Sequence, residues 1–253
     1  MKQVILHKNQ IHDGHLVLVN RRHPICRERL AGKPNLVPCI HRTDILLERR
    51  AAACLTQLIQ AVGGAKDIQL VSGYRSREEQ ERLYFDSLRK HGREFTEQYV
   101  AYPGCSEHET GLAIDLGENR PGIDFIRPSF PNTGIFADFR RKAADFGYVE
   151  RYAKGKEQHT GIAHEPWHFR YVGYPHARIM VQYGFCLEEY IAFLKAFPLG
   201  GQPLAYREES RFDSYYVAAN ENEIRIELPE HRWNQISGNN VDGFIVTLWR
   251  DGQ

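Results

Sequence analysis

The sequence predicts an α+β fold over residues 1–200, followed by a small β-rich appendage over residues 204–253. Helical and strand-like apolar patterns alternate through the first part, whereas the chain after residue 203 is almost entirely strand-like. A stretch rich in Pro and Gly, residues 198–203, separates the two parts and is typical of a linker. At 253 residues the chain is long enough for one sizeable core and a second small module.

The predicted helices follow from apolar spacing and from residues that begin or end a helix. Asp44 can cap a helix over residues 45–62, where apolar residues recur at helical spacing until Gly63. Ser76 and Glu79 have the form of a capping box, which predicts a helix from there to about residue 90. Further helices are predicted over residues 135–146, 175–183 and 187–196.

Short apolar or alternating runs predict the strands. In the first part of the chain they are residues 15–20, 68–71, 111–116, 148–152 and 167–172. In the appendage they are residues 215–217, 223–228 and 244–249, with a turn at 237–240. The appendage run 223–228 alternates strictly between polar and apolar residues, which is typical of a strand with one solvated face.

Composition excludes several classes of protein. The 33 Lys and Arg nearly balance the 32 Asp and Glu, so we expect neither nucleic acid nor an anionic membrane as a partner. No stretch approaches the roughly 20 apolar residues of a membrane span, and no signal-peptide pattern opens the chain. The five Cys are odd in number and contain no C-x-x-C pair, which indicates reduced thiols. We therefore expect a cytoplasmic protein.

The predicted strand 111–116 has the composition of a surface that something approaches closely. One of its faces is apolar, and the other carries Gly111, Ala113 and Asp115. Small residues next to a carboxylate are expected where a metal ion lies against a sheet. His108, on the loop leading into the strand, is near enough to converge with Asp115. A surface Asp with an unrelated loop His is the alternative for this pair taken alone.

A second candidate motif runs from His164 to His168 and matches the letters H-E-x-x-H, which in zinc peptidases form one helical turn. Pro166 would fall inside that turn, and the residues after it are β-rich, so a strand is predicted instead. His108, Asp115 and His168 then supply two imidazoles and a carboxylate. This set leaves a fourth position open, as in catalytic zinc sites.

Two further side chains complete the predicted site. Glu165 lies three residues before His168, so its carboxylate can lie beside the open position and act as a base. Arg75 follows a predicted strand and precedes a capped helix, so its backbone is held from both sides. A guanidinium at such a place can stabilise the oxyanion of a tetrahedral intermediate.

Three segments in order carry a family resemblance: S-G-Y-R-S at 72–76, S-x-H-x-x-G-x-A-x-D at 106–115, and E-P-W-H at 165–168. Together they resemble the zinc D,D-peptidases of the VanY/VanX class, whose fold is shared by lysostaphin-type enzymes and hedgehog. Each motif is weak alone, and all three in order are specific. The chain resembles the cytoplasmic VanXY type in the run W-H-F-R-Y-V-G and in its lack of a signal pattern. The appendage resembles that of the longer VanXYG form.

The resemblance implies a small antiparallel sheet with flanking helices and hydrolysis of D-Ala-D-Ala. The substrates would be the free dipeptide and the end of peptidoglycan precursor peptides, which implies glycopeptide (vancomycin) resistance. The residues implied are the ligands of one Zn²⁺ per chain, His108, Asp115 and His168, the catalytic base Glu165, the transition-state residue Arg75, and the substrate contacts Gln80 and Ser106. Dedicated dipeptidases usually have Pro at the position of Ser76, so the balance of dipeptidase and carboxypeptidase activity stays open.

Two other functions are compatible with the same donor set. Two His and one carboxylate also form the facial triad of mononuclear iron oxygenases, although their usual His-x-Asp pair is absent here. A hedgehog-like zinc module that binds a partner without catalysis is the second. His159 and His164 flank the site and can either orient a ligand or serve as ordinary polar residues. Cys105 can be a further ligand or a small buried side chain.

Overall fold

The computed structural model describes residues 1–26, 35–40, 42–205 and 212–250. The chain divides into two compact units: one contains Met1–Leu18 and Leu187–Gln253, and the other Val19–Cys186. The N-terminal residues therefore group with the β-rich C-terminal segment. Division into functional domains at residues 1–200 and 204–253 stays a prediction.

Strands and α-helices alternate between residues 42 and 183, the described residues from 204 to 249 form strands without helices, and the predicted α+β fold class is confirmed. The strands are β1 (Lys2–His7), β2 (Leu36–Cys39), β3 (Arg42–Glu48), β4 (Ile68–Ser72), β5 (Ala113–Glu118), β6 (Tyr148–Tyr152), β7 (Glu165–Tyr171), β8 (Leu204–Ala205), β9 (Phe212–Ala218), β10 (Glu223–Leu228), β11 (Asn234–Gly238) and β12 (Gly243–Trp249). The α-helices are α1 (Arg49–Val62), α2 (Arg77–Tyr99), α3 (Gly134–Ala143), α4 (Glu157–Thr160), α5 (His176–Tyr183) and α6 (Leu187–Leu194).

The unit Val19–Cys186 is built on a four-stranded antiparallel sheet in the order β4-β5-β7-β6. Strands β5 and β7 are the inner pair, and their register sets Asp115 opposite His168. Behind β7, the ring of Phe169 packs edge-on against Phe130 and Phe139, with centroids 5.5 and 5.0 Å away. This aromatic cluster is fully buried and fixes which face of β7 lies toward the core.

The predicted helix over residues 45–62 begins later than expected. Asp44 lies within β3, which pairs with β2, and α1 starts at Arg49. The carboxylate of Glu48, not that of Asp44, caps α1 by accepting hydrogen bonds from the first-turn amides. Ile45 and Leu47 are buried at alternate positions of β3, which is a strand period, whereas the helix prediction counted Ile45 and Leu46 as its first apolar residues.

Residues 15–20, predicted as a strand, form no strand in the structure. The amide of Leu16 donates to the Ser237 hydroxyl (3.0 Å), and that of Leu18 donates to the Asn239 carbonyl (3.0 Å). Leu16 and Leu18 are nevertheless buried. The apolar run therefore marks burial, and its backbone is satisfied by single contacts in place of a ladder.

Helix α2 begins with the predicted capping box. The Ser76 hydroxyl accepts from the Glu79 amide, and the Glu79 carboxylate accepts from the Ser76 amide at 2.7 Å. The helix continues past the predicted end near residue 90 to Tyr99, and it is broken at Gly92, whose φ is +79°. Its second half leads the chain to the wall of the pocket described below.

In the other unit, β1 pairs with β10, and β11, β12, β9 and β8 form a second antiparallel sheet. The predicted strand 223–228 coincides with β10, and the other two appendage strands fall within β9 and β12. The core of this unit includes Leu6, Val217, Phe244 and Leu248. Among the described residues, no helix combines the length and the apolar character that crossing a membrane requires.

A substitution at Gly147 can test how closely the backbone packs behind the sheet. Its φ is +79°, and an added Cβ would lie 2.8 Å from the Cα of Gly173. Gly63 caps α1 at a similar φ of +70° with nothing within 4 Å of an added Cβ. We expect Gly63→Ala to lower the free energy of unfolding by about 1–2 kcal/mol, the cost of a left-handed backbone. Gly147→Ala should cost about 1–3 kcal/mol more, because backbone must also move.

Urea denaturation of both variants measures the difference. Equal losses in the two variants would contradict the predicted close packing of Gly147 against Gly173.

Candidate active site

Three predicted metal ligands converge at the middle of the four-stranded sheet. Asp115 lies on β5, His168 lies opposite it on β7, and His108 lies in the 3-10 helix Glu107–Thr110 that precedes β5. The three side chains are buried, and one potential ligand atom from each lies within 4.8 Å of the others. The sheet register and the short helix thus bring His108 and His168 together, although they are 60 positions apart in sequence.

His108 presents a defined ring nitrogen to Asp115. Its Nδ1 lies 2.7 Å from the Gly73 carbonyl oxygen, which can only accept, so Nδ1 carries the proton. Its Nε2 then has the free lone pair and lies 3.1 Å from Asp115 Oδ2. His108 Nε2 is therefore deprotonated and oriented to bind a metal ion before the ion arrives.

His168 has carboxylates on both sides of its ring. Its Nδ1 lies 2.9 Å from Asp115 Oδ1 and 3.8 Å from Glu165 Oε2, and its Nε2 lies 3.6 Å from Glu107 Oε2. Burial lowers the pKa of His168, but the hydrogen-bonded carboxylate of Asp115 and the nearby carboxylate of Glu107 outweigh it and raise that pKa to about 9. The surroundings of His168 therefore favour a positive charge at this point.

The donor set fits a zinc ion. Two imidazoles and one carboxylate are among the ligand types that Zn²⁺ binds, and three protein ligands leave a position for substrate chemistry. Burial opposes ionisation of Asp115, yet the imidazoles of His108 and His168 hold its pKa below the usual range. Asp115 is therefore available as a carboxylate ligand.

Glu165, the first residue of β7, is 5% exposed and points into the same space. Burial raises the pKa of its carboxyl to about 8, and the neighbouring His168 opposes this shift. A carboxyl with a pKa near neutrality can both accept and release a proton under ordinary conditions. This is the property required of a general base that later acts as a general acid.

Arg75 is held in one orientation by its neighbours. Its guanidinium donates to Gln80 Oε1 at 2.6 Å and to the Ser72 hydroxyl at 2.8 Å, and it lies 4.0 Å from Asp115 Oδ2. Gln80 in turn donates to the carbonyl of Ala101 at 2.7 Å. Gln80, predicted as a substrate contact, is therefore also a support for Arg75.

One pocket joins all of the predicted site residues. Its wall also includes Tyr152, Trp167 and Phe125. The predicted members that line it are Arg75, Gln80, Ser106, His108, Asp115, Glu165 and His168. Their roles as ligands, base and substrate contacts stay predictions, and the structure places them around one space.

The remaining sequence candidates lie outside the donor cluster. The letters H-E-x-x-H fall on strand β7, so no helical turn brings His164 beside His168. His164 instead pairs with Glu150, with Nε2 and Oε1 3.1 Å apart. His159 lies on α4, and burial raises the pKa of the Cys105 thiol, which makes it a poor thiolate ligand.

Sequence reasoning missed the buried group Glu107, Arg151 and Arg170. Both arginines lie 2.8 Å from Glu107 Oε1. One signal was present: Arg170 is two residues after His168, so both side chains leave the same face of β7. A cation on the ligand-bearing face of an inner strand indicates a buried anion nearby, although it does not identify which one.

The chain is similar to several known proteins. Residues 44–174 match the VanY family, described as D-alanyl-D-alanine carboxypeptidase. The bifunctional D-Ala-D-Ala dipeptidase and D-Ala-D-Ala carboxypeptidase VanXYC of Enterococcus gallinarum is 40% identical over 180 residues. That alignment covers 71% of this chain and 94% of the relative.

Two solved structures are also similar. The vancomycin-resistance D,D-dipeptidase VanXYg, in complex with a D-Ala-D-Ala phosphinate analog, has a TM-score of 0.94 at 48% identity, covering 98% of this chain and 99% of that one. A mutant of the vancomycin-resistance D,D-pentapeptidase VanY from a VanB-type cassette, in complex with Zn(II), has a TM-score of 0.57 at 29% identity. It covers 70% of this chain and 98% of that one.

The donor cluster predicts which histidines hold metal. His108→Ala should raise the zinc dissociation constant by more than about 100-fold, because losing a ligand costs more than losing a group that orients one. His164→Ala removes the first histidine of the H-E-x-x-H letters, which lies outside the donor cluster. It should leave the zinc dissociation constant unchanged. Chelator competition and elemental analysis measure affinity and metal identity. Equal losses in both variants, or stoichiometric iron, would refute the assignment.

Proposed function

The chain belongs to the VanY family of D-alanyl-D-alanine carboxypeptidases, and on this basis we propose that it is a zinc D,D-peptidase of the VanXY type. The membership confirms the resemblance expected from the three sequence motifs. The proposed reaction is hydrolysis of D-Ala-D-Ala. The observation that carries it is the convergence of three metal donors with a buried carboxyl and a half-buried guanidinium in one pocket.

The proposed substrates are the free dipeptide and the D-Ala-D-Ala end of peptidoglycan precursor peptides. Support for the dipeptide comes from VanXYg, which was solved with a D-Ala-D-Ala phosphinate analog. Support for the longer substrate comes from VanXYC, whose name includes both activities. Removal of these termini would deprive glycopeptide antibiotics such as vancomycin of their target, so the proposed physiological role is glycopeptide resistance.

We assign one Zn²⁺ per chain to His108, Asp115 and His168. Within the described part of the chain, this is the one group of three or more candidate donors that converges. When bound, zinc would supply Lewis-acid polarisation of the scissile carbonyl and lower the pKa of the attacking water.

Glu165 is the proposed proton carrier. Its carboxylate takes a proton from the attacking water as the oxygen bonds to the scissile carbonyl carbon. The same carboxyl then gives the proton to the amine of the departing D-Ala as the C–N bond breaks. Burial, which raises the pKa of Glu165 to about 8, makes its carboxylate a stronger base toward the attacking water.

Arg75 is proposed to stabilise the oxyanion of the tetrahedral intermediate. Its guanidinium is oriented before substrate arrives, because Gln80 and Ser72 already accept two of its N–H groups. Preoriented donors in a buried site stabilise developing charge without the cost of reorganisation. Gln80 and Ser106 line the pocket and are proposed as substrate contacts. The two alternative functions, a mononuclear iron oxygenase and a non-catalytic zinc module, would have no use for the carboxyl of Glu165 or the guanidinium of Arg75.

A cytoplasmic location is proposed from the thiols. Among the described residues, Cys26, Cys39, Cys54 and Cys105 are free thiols, and Cys39 and Cys105 are buried. Reduced buried thiols are typical of a reducing compartment.

Substitution Glu165→Ala tests the mechanism. Release of D-Ala from D-Ala-D-Ala and from a pentapeptide ending in it should fall by about 10²–10⁴-fold, the contribution of a general base. Zinc should stay bound because the three donors are intact. The matched variant Glu157→Ala, which removes an exposed carboxylate on α4, should keep normal turnover. Near-normal turnover in Glu165→Ala would refute the assignment, and a wild type inactive on both substrates would refute the proposed function.

Substitution Arg75→Lys tests the oxyanion role. Lys keeps the charge but cannot keep both donations to Gln80 and Ser72 while facing the pocket. We expect kcat to fall by about 10²–10³-fold, the usual cost of removing an oxyanion donor. KM and zinc content should change little, and steady-state kinetics with elemental analysis measures both. A large rise in KM with unchanged kcat would indicate substrate binding in place of transition-state stabilisation.

A further inference from the structure

Glu107 is the most completely enclosed carboxylate beside the candidate metal site. Its side chain is 0% exposed, and those of Arg151 and Arg170 are 1% and 0% exposed. Glu107 Oε1 accepts a hydrogen bond from Arg151 Nε at 2.8 Å and lies 2.8 Å from Arg170 Nη1. The two guanidinium groups at 2.8 Å compensate the buried negative charge and hold Glu107 as a carboxylate. Glu107 is therefore an ion that can only accept hydrogen bonds.

The other oxygen of Glu107 faces the ring of His168. Oε2 lies 3.6 Å from His168 Nε2, slightly longer than a hydrogen bond. Neither atom has a hydrogen-bond partner among the described residues, and both are fully buried. A buried polar atom without a partner is costly, so an acceptor and a potential donor that face each other are complementary.

We propose that Glu107 is the positioning residue that selects the ligand nitrogen of His168. A carboxylate at Nε2 requires the proton to be there, which leaves the lone pair on Nδ1. Nδ1 is the nitrogen that faces Asp115 (2.9 Å) and Glu165 (3.8 Å). Arg151 and Arg170 keep the carboxylate ionised and in place.

The ring of His168 is also held from one face, so Glu107 acts on a ring with little freedom to turn. The Tyr152 ring lies 4.8 Å from the His168 ring at 38°. Arg151, the partner of Glu107, lies with its guanidinium 5.0 Å from the Tyr152 ring centre. One cation thus contacts both the carboxylate and the aromatic ring that flank His168.

Two substitutions separate positioning from simple charge balance. Glu107→Asp keeps a negative charge between the two arginines but is one methylene shorter, so it cannot also reach His168 Nε2. Glu107→Gln keeps the length and removes the charge. Glu150→Gln is the matched control, because Glu150 also pairs with a histidine, His164, and an arginine, Arg140, outside the donor cluster.

The inference rests on the proposed zinc site, and it is tested on the full chain without substrate. Zinc affinity is measured by chelator competition, and the protonated imidazole nitrogens are observed by ¹⁵N-edited NMR of the zinc-loaded protein. We expect Glu107→Asp and Glu107→Gln to raise the zinc dissociation constant about 10–100-fold. We also expect the His168 Nε2–H signal to lose its downfield shift, with both properties unchanged in Glu150→Gln.

The inference is overturned if folded Glu107→Asp binds zinc with wild-type affinity and keeps the signal. If the variants do not fold, the wild-type spectrum decides: a proton on Nδ1 of His168 in the zinc-loaded protein would overturn it, and a proton on Nε2 would support it. A chain that binds zinc in this way but releases no D-Ala would contradict the proposed function alone.

Discussion

The candidate site depends on the register of β5 against β7. Asp115 and His168 are paired residues in this ladder, and a shift of one residue would turn one of them to the opposite face of the sheet. Both strands are inner strands, bonded by β4 and β6 on their outer sides. Phe169, which points away from the site, is locked between Phe130 and Phe139. An apolar cluster on one face therefore sets the position of two metal donors on the other.

The second constraint is buried charge. Glu107, Arg151 and Arg170 are enclosed together, and the guanidinium of Arg75 is half-buried nearby. Removing one partner of a buried pair typically costs about 3–5 kcal/mol, because the other charge is left without compensation. Such a group of buried charges adds little to the stability of the folded state, but it fixes the position of each charged side chain. The site is consequently surrounded by side chains that have few alternative positions.

Much of the site could be predicted from the sequence because its donors lie in short ordered motifs. The strand 111–116 already separated an apolar face from the face bearing Asp115, and Pro166 already excluded a helix at H-E-x-x-H. The start of α1 was wrong because Ile45 and Leu46 were counted as the first apolar residues of the helix, whereas Ile45 and Leu47 are buried at alternate positions of a strand. The strand at 15–20 was wrong because an apolar run reports burial and not backbone pairing. Glu107 was missed because an acidic residue in a loop gives no sign of burial.

The sequence by itself determined the fold class, the capped start of α2 and the residue types available for a metal, a base and an oxyanion. These follow from local patterns, in which a side chain's neighbours along the chain decide the outcome. Tertiary structure alone decided that Gln80 supports Arg75, that Glu107 faces His168, and that His108 presents Nε2 to Asp115. Glu107 and His168 are far apart in sequence, and the other two pairs are close in sequence but depend on how the chain turns between neighbouring elements, so each contact is an atom-to-atom distance that packing sets. Such distances are set by strand register and buried packing, which no local pattern encodes.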